Sequence, residues 1–363
     1  MVPQRGKQTR SNQLMNKDVS KHGMRATLFV IVVLIAAVAF GQDKHRRIGE
    51  VDFYGYADLD LDKIRMALPL REGDDFPDSH DLFLDTVKRI REAVKQAIGK
   101  PPTDVAVVCC DAQSQGMIYI GLPGSSMQIV PYNPAPKGKI RFPKRIIDLY
   151  QQTMEASSKA VLNGTAKDEG SKGFALSTDP ELRSKQLATR EYALRHGPLV
   201  RKVLASSSSA EHRTAAAHFL GYGSQSREQI AALVRASYDL DDSVRNDATR
   251  ALGVLAESSP QVADRIPAEG FVAMLSSGSW TDRNKAGFLL TELSKRRPPR
   301  LLNQLRSQAL DSLIEMARWR SRRHADFARI LLGRIAGIEE TRLQQLVDAG
   351  QVDEIIHSLQ RTK

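Results

Sequence analysis

Arg245-Asn246-Asp247-Ala248-Thr249-Arg250-Ala251-Leu252-Gly253 is the best formed of four related stretches in the second half of this chain. The others are Arg213-Thr214-Ala215-Ala216-Ala217-His218-Phe219-Leu220-Gly221, Arg283-Asn284-Lys285-Ala286-Gly287-Phe288-Leu289-Leu290-Thr291 and Ala325-Asp326-Phe327-Ala328-Arg329-Ile330-Leu331-Leu332-Gly333. Their first residues step by 32, 38 and 42 positions, which fits helix pairs and excludes heptads and propeller blades. Within each copy the apolar offsets three, six and seven share one helix face, with Leu220, Leu252, Leu290 and Leu332 at offset seven. The small alanine at offset three lets a neighbouring helix approach closely. A single such helix cannot bury its face, whereas stacked copies can, so the pattern predicts an α-solenoid built for surface.

An acidic turn precedes the arginine in three copies: Glu211 before Arg213, Asp241 and Asp242 before Arg245, Asp282 before Arg283. With that turn the pattern resembles HEAT repeats. The resemblance implies that acid and arginine bridge helices within and between repeats, giving Arg213, Arg245 and Arg283 structural roles. The fourth copy departs from it, with Ala325 in place of the arginine. Partner helices are expected over 199–206, 228–238, 271–276 and 301–318, and 339–358 is expected to close the stack as a cap.

The chain has 363 residues and a formal net charge of +11, enough for two or three domains. Residues 26–40 form an uninterrupted apolar run that ends in Ala37-Val38-Ala39, and the stretch before it carries six basic residues against one acid. A crossing helix needs about 20 residues, so two readings stand. One is an export signal cleaved near Ala39, with Met24 as an alternative start; the other is a single-pass anchor with its basic tail inside. Both place the rest of the chain outside the cytoplasm, and the second adds membrane association.

Residues 48–56 alternate like a half-buried strand, 60–68 and 78–98 read as helices, and 105–110 and 117–122 as strands. The order is βααββ. That order, with Val51-Asp52-Phe53-Tyr54-Gly55-Tyr56 and Arg65-Met66-Ala67-Leu68-Pro69-Leu70-Arg71-Glu72-Gly73-Asp74, resembles a POTRA domain. The resemblance implies partner binding by strand addition at a sheet edge. Cys109 and Cys110 are adjacent in a strand-like run, where side chains alternate, so they are expected to pack rather than to bond to each other.

The fold class is therefore multidomain, a small α+β (βααββ, POTRA-like) domain followed by an all-α HEAT-like solenoid. Residues 1–42 are leader and apolar segment, 43–124 the α+β domain, 125–142 a Pro/Gly linker and 143–363 the repeat domain, with 163–173 an exposed loop. The shift in composition at the linker predicts two independently folding halves.

Residues 40–124 carry 15 acidic and 11 basic side chains, and 125–363 carry 26 and 36, so the repeats are the basic half. The densest cluster is Arg318, Trp319, Arg320, Arg322 and Arg323, with Trp280 at the equivalent turn one repeat earlier. These are the candidate partner-binding residues, an anion-seeking surface; the competing reading has solvated arginines decorating loops and capping helices. No Walker loop, HExxH, GxSxG or CxxC occurs, and His212 and His218 lie on opposite sides of a helix. No catalytic, metal or cofactor site is expected. The expected function is a non-enzymatic protein-binding scaffold outside the cytoplasm. Alternatives are an adaptor of a membrane-associated secretion or division complex through the POTRA-like domain, and a HEAT-like enzyme acting on an anionic substrate. Export argues against a nucleic-acid partner.

Overall fold

The computed structural model describes residues 46–360 except 78, 111, 112, 114 and 171. The leader and apolar run within 1–42 lie outside the described residues. Among the described residues no helix is long and apolar enough to cross a membrane.

The first module follows the expected order: β1 (Ile48–Tyr54), α1 (Leu61–Ala67), α2 (His80–Ile98), β2 (Asp104–Val108) and β3 (Gly116–Gly121). Side chains of Asp60 and Ser79 cap the two helices, and Gly99 at φ +75° ends α2. β3 lies between its neighbours, parallel to β1 and antiparallel to β2. Alternation along the strands sorts their side chains onto two faces. Val51, Phe53, Ile118 and Ile120 pack with Ile64, Ile90 and Val94 of the two helices. Tyr54, Met117 and Tyr119 join the core of the helical half instead. All six residues of β3 are buried, because the sheet is covered on both sides. The two halves expected to fold independently share a strand, and residues 46–360 belong to one compact unit.

The expectation for the adjacent cysteines is corrected. β2 ends at Val108, so strand alternation does not reach them, and Cys109 is disulfide-bonded to Cys110.

The helical half comprises α3 (Lys144–Leu162), β4 (Asp168–Glu169), β5 (Leu176–Ser177), α4 (Pro180–Ser206), α5 (Ala210–Leu220), α6 (Arg227–Ala236), α7 (Asp242–Ser258) and α8 (Pro260–Ala263). It continues through α9 (Glu269–Met274), α10 (Trp280–Leu293), α11 (Pro299–Gln308), α12 (Leu310–Ala317), α13 (Arg322–Ile335), α14 (Glu340–Asp348) and α15 (Val352–Gln360). α4 kinks at His196, two residues before Pro198. The stretch expected as a bare loop, 163–173, holds β4, which pairs with β5 in a short antiparallel ladder. The four quoted stretches lie in α5, α7, α10 and α13, the second helix of each repeat. Leu220, Leu252, Leu290 and Leu332 are all buried in one continuous core, and Leu343, Leu346 and Ile355 of α14 and α15 close its end.

The arginines form a ladder between repeats. Arg213 pairs with Asp239 at 2.8 Å, Arg245 with Asp282 at 2.8 Å and Arg283 with Glu315 at 3.3 Å, each acid belonging to the following repeat. Each arginine also donates to the carbonyl six residues before it, on Ser207, Asp239 and Ser277. All three are buried. Asp241, by contrast, caps α7, and Glu211 accepts from Gln151 on the surface. In the fourth copy Arg329, one helical turn after Ala325, takes the position: it donates to the carbonyls of Ala317 and Trp319 and pairs with Asp326 at 2.9 Å. Removing one partner of such a buried ion pair is strongly destabilising, because it leaves an uncompensated buried charge.

Candidate recognition cleft

The basic cluster expected to face a partner faces the first module instead. Trp319 is 1 % exposed and its indole donates to the Phe53 carbonyl at 3.0 Å, the partner that a buried indole N–H requires. The Arg320 backbone donates to Asp52 at 3.0 Å, and its guanidinium pairs with Glu72. Tyr119 of β3 stacks on Trp280, with ring centroids 5.2 Å apart, and leans on Trp319 at 5.0 Å. Its hydroxyl lies 2.6 Å from Nδ1 of His324. The two tryptophans therefore clamp a tyrosine of the same chain. Arg318 and Arg322 are exposed, and Arg322 is tied to the Val347 carbonyl and beside Asp348. Arg323 lines the cleft described below.

Glu315 of α12 is the centre of this joint. It is 3 % exposed and accepts from the backbone N–H groups of Gly55, Tyr56 and Ala57 at 2.7, 2.9 and 2.8 Å, from the Ser126 hydroxyl at 2.6 Å and from Arg283.

The segment expected as a linker is a strap laid along the turns of the solenoid. Gln128 bridges to Ser277, Asn133 to Asp239 and Gly138 to Ser207, all in parallel sense. The strap advances five residues per repeat and meets the same turn position each time, six residues before the ladder arginine. Gln128 and Asn133 donate to the Ser276 and Tyr238 carbonyls at 2.7 and 2.6 Å, and Gly138 accepts from Ser208 at 2.7 Å. Pro131, Pro134 and Pro136 suit an extended chain that needs only some of its N–H groups. Tyr132 bonds to Asp282 and Ser277, and the Arg245 guanidinium lies 3.9 Å over its ring.

What stays open is a cleft of about 310 Å³ across the second helices α7, α10 and α13, flanked by β4 and the turn after it. Arg250 and Glu257 come from α7, Asn284, Lys285 and Phe288 from α10, and Arg323, His324 and Phe327 from α13. Phe288 and Phe327 pack with centroids 5.6 Å apart and give it an apolar wall. Arg250 is paired with Asp168 at 2.6 Å. Lys285 and Arg323 make no direct ion pair and no hydrogen bond among the described residues, although the Asp247 carboxylate acts on Lys285, and the 4 % exposed Asn284 has no hydrogen bond to its amide. Burial, reinforced by Arg250, lowers the Lys285 ammonium to about 8. Burial likewise lowers His324 to about 3, so its ring is neutral. A smaller cavity of about 20 Å³, room for one water, adjoins it at His218, Tyr222 and Asp247. There burial raises Asp247 to about 6 and lowers His218 to about 3.

Among the described residues no cluster of three or more His, Cys, Asp or Glu could hold a metal. The cleft offers recognition: fixed cations, an amide and an aromatic wall. Arg323 belongs to the basic cluster expected to bind a partner, whereas Lys285, Phe288, Phe327 and Arg250 stand at non-core positions of the repeat. Lys285 and Phe327 share offset two, and Arg250 and Phe288 share offset five, so a recurring non-core offset is the signal for these four.

No family model matches the chain, and no curated protein does. Similar solved structures include the crystal structure of an engineered protein, 18% identical over 60% of this chain and 94% of that one, TM-score 0.34. A designed armadillo repeat protein in complex with a (KR)4 peptide is 15% identical, with coverage of 59% and 91% and a TM-score of 0.35. Another designed armadillo repeat protein is 18% identical, with coverage of 51% and 88% and a TM-score of 0.34. Likenesses this distant say nothing about what this chain binds.

Proposed function

We propose that this protein is a non-enzymatic protein-binding scaffold, and that an extended segment of its partner docks in the cleft across α7, α10 and α13. The observation that carries the reading is that Lys285, Arg323 and Asn284, from two consecutive repeats, line one open cleft with no hydrogen bond or direct ion pair inside the molecule among the described residues. The strap, the arginine ladder and both tryptophans are by contrast already used inside the molecule. The test replaces Phe288 with a photo-crosslinking phenylalanine in the cells that make the protein. A discrete adduct is expected at that position, absent when the same group replaces Met66, which is exposed on α1, and lost when Lys285 and Arg323 are both changed to Glu. Equal adducts from both positions, or none from Phe288, would sink the reading.

The βααββ order and the mixed sheet support a POTRA-like identity for the first module. Its β1 edge already receives Trp319 and Arg320, which favours an internal, stabilising role over an adaptor role. We also place the bulk of the chain outside the cytoplasm, on the strength of the apolar run 26–40. Residues 1–42 fused to a reporter that works only outside the cytoplasm should give activity; a silent reporter refutes the placement.

A further inference from the structure

We infer that the far end of the strap, residues 135–143, is a docking rail for an extended acidic segment that carries a carboxylate at every second residue. This surface is separate from the cleft, and the inference does not depend on what the cleft binds.

The rail starts from a pattern of burial. Ala135, Lys137, Lys139, Arg141 and Pro143 are exposed, whereas Pro136, Gly138, Ile140 and Phe142 between them are partly or fully buried. That two-residue period is the period of an extended chain. Ile140 and Phe142 pack on the helical core, Gly138 accepts from the Ser208 N–H at 2.7 Å, and the Phe142 N–H donates to Nδ1 of His212 at 2.9 Å. A Cβ on Gly138 would collide with the Ser206 carbonyl oxygen, so a seat this close needs glycine. The strap is therefore pinned along its inner side. Its outer side presents Lys137, Lys139 and Arg141 in a row, spaced roughly 6.5 Å apart along an extended backbone.

The charges on this row are not answered within the molecule. Residues 135–147 hold five cations and no acid. Lys144 is paired with Asp148 at 2.7 Å. Lys137, Lys139, Arg141 and the exposed Arg145 make no ion pair and no side-chain hydrogen bond among the described residues. The turn that receives Gly138, residues 206–209, carries no acid. Glu191 of α4 is paired with Arg195, and Asp239 is buried with Arg213. Glu211 of α5 acts on His212 against Arg141, and Asp241 caps α7; Asp247 answers to Arg250 and Lys285 in the cleft. Counting both Glu211 and Asp241 as free leaves four cations against two carboxylates, a surplus of positive charge on one rigid edge.

The spacing selects the occupant. An extended peptide turns its side chains the same way every two residues, as the rail does, so Glu or Asp at alternate positions sets a carboxylate opposite each cation, the favourable cross-strand arrangement. Single-stranded nucleic acid asks in addition for aromatic platforms, and the aromatic of the rail, Phe142, is buried beneath it. An anionic bilayer attracts basic residues whatever their spacing, so spacing is the variable to test.

The probe is a fluorescein-labelled nine-residue peptide of alternating glutamate and threonine, measured by fluorescence anisotropy on the full chain at low ionic strength, where exposed charges are least screened. One matched peptide gathers the same glutamates into a block, and another replaces them with glutamine. The alternating peptide is expected to bind about tenfold more tightly than the glutamine peptide and about threefold more tightly than the block peptide, the combined effect of a few exposed ion pairs. Lys137→Gln, Lys139→Gln and Arg141→Gln together should reduce it to the glutamine level with an unchanged melting temperature, because all three side chains are exposed. The same charge removed elsewhere, by Lys88→Gln, Lys95→Gln and Lys100→Gln, should leave binding intact, as should Lys285→Gln with Arg323→Gln in the cleft. A reversed rail, Lys137→Glu, Lys139→Glu and Arg141→Glu, should instead prefer a peptide of alternating lysine and threonine. Equal binding of the alternating and block peptides, no binding of the alternating peptide, or an equal loss from the changes at 88, 95 and 100 or in the cleft overturns the rail; the peptide comparison on the parent chain stands whether or not a variant folds. Tighter binding of a thymidine oligonucleotide of matching charge, or of phosphatidylserine vesicles, overturns it in favour of a nucleic acid or a bilayer.

Discussion

Glu315→Ala is expected to lower the free energy of unfolding by about 3–5 kcal/mol or more, the cost of breaking a buried ion pair by removing one partner. The reason is the number of groups that converge on one carboxylate. Without it, Arg283 keeps a buried charge with no acid beside it, and three backbone N–H groups and the Ser126 hydroxyl lose their acceptor. A buried donor left unsatisfied costs about 1–3 kcal/mol, so water must enter the joint or the joint must open. A typical fold has only about 5–15 kcal/mol in hand. The measurement is urea unfolding followed by tryptophan fluorescence, since Trp280 and Trp319 lie in the joint. A paired change, Glu315→Leu with Arg283→Met, should recover part of the loss by removing both charges together. A loss below about 1 kcal/mol for Glu315→Ala would show that the joint is not where the halves are held.

Leu252→Ala is expected to cost about 2–5 kcal/mol, the transfer energy of the lost methyl groups plus the cavity they leave. Leu252 is fully buried in α7, which packs against the second helices on either side, α5 and α10. Repeat stability is carried by such neighbour interfaces, so the cavity weakens two of them at once. Arg322→Glu with Arg323→Glu is the contrast, since both side chains are exposed and surface changes usually stay within about 0.5 kcal/mol each. A Leu252→Ala loss no larger than that of the double reversal, both read by thermal and urea unfolding, would mean that the solenoid core is not where the repeat register puts it.

The helices were legible because a 3.6-residue period is a local signal, read from nine residues at a time. Strand alternation was legible for the same reason. What it could not show was the object met by the second face. Trp319 finds its acceptor on Phe53, 266 residues earlier, and Arg320 finds Glu72, 248 residues earlier. A basic, aromatic turn such as 318–324 looks like a surface in search of a partner, and here the partner of Trp319 and Arg320 is the same chain. The strap was read as a linker because prolines and glycines mark irregular backbone. Its bridges depend on a register with turns 69 to 149 residues away, which no local pattern encodes. The cleft failed for a different reason. Lys285 and Phe288 stand at non-core offsets of the repeat, and such offsets form a wall only when three helices lie side by side.

The five-residue stride of the strap makes it a ruler for the number of repeats. Solenoids lengthen by duplicating a unit, and most can do so without consulting the rest of the chain. Here each further unit inserted between α5 and α13 would demand five more residues between Gly138 and Gln128, or the Ser126 end of the strap would fall short of Glu315. Gene duplication inside the repeats and lengthening of the proline-rich segment would thus have to occur together. Natural length variants of this protein should come in matched pairs of changes, with single indels of one to four residues in 128–138 selected against.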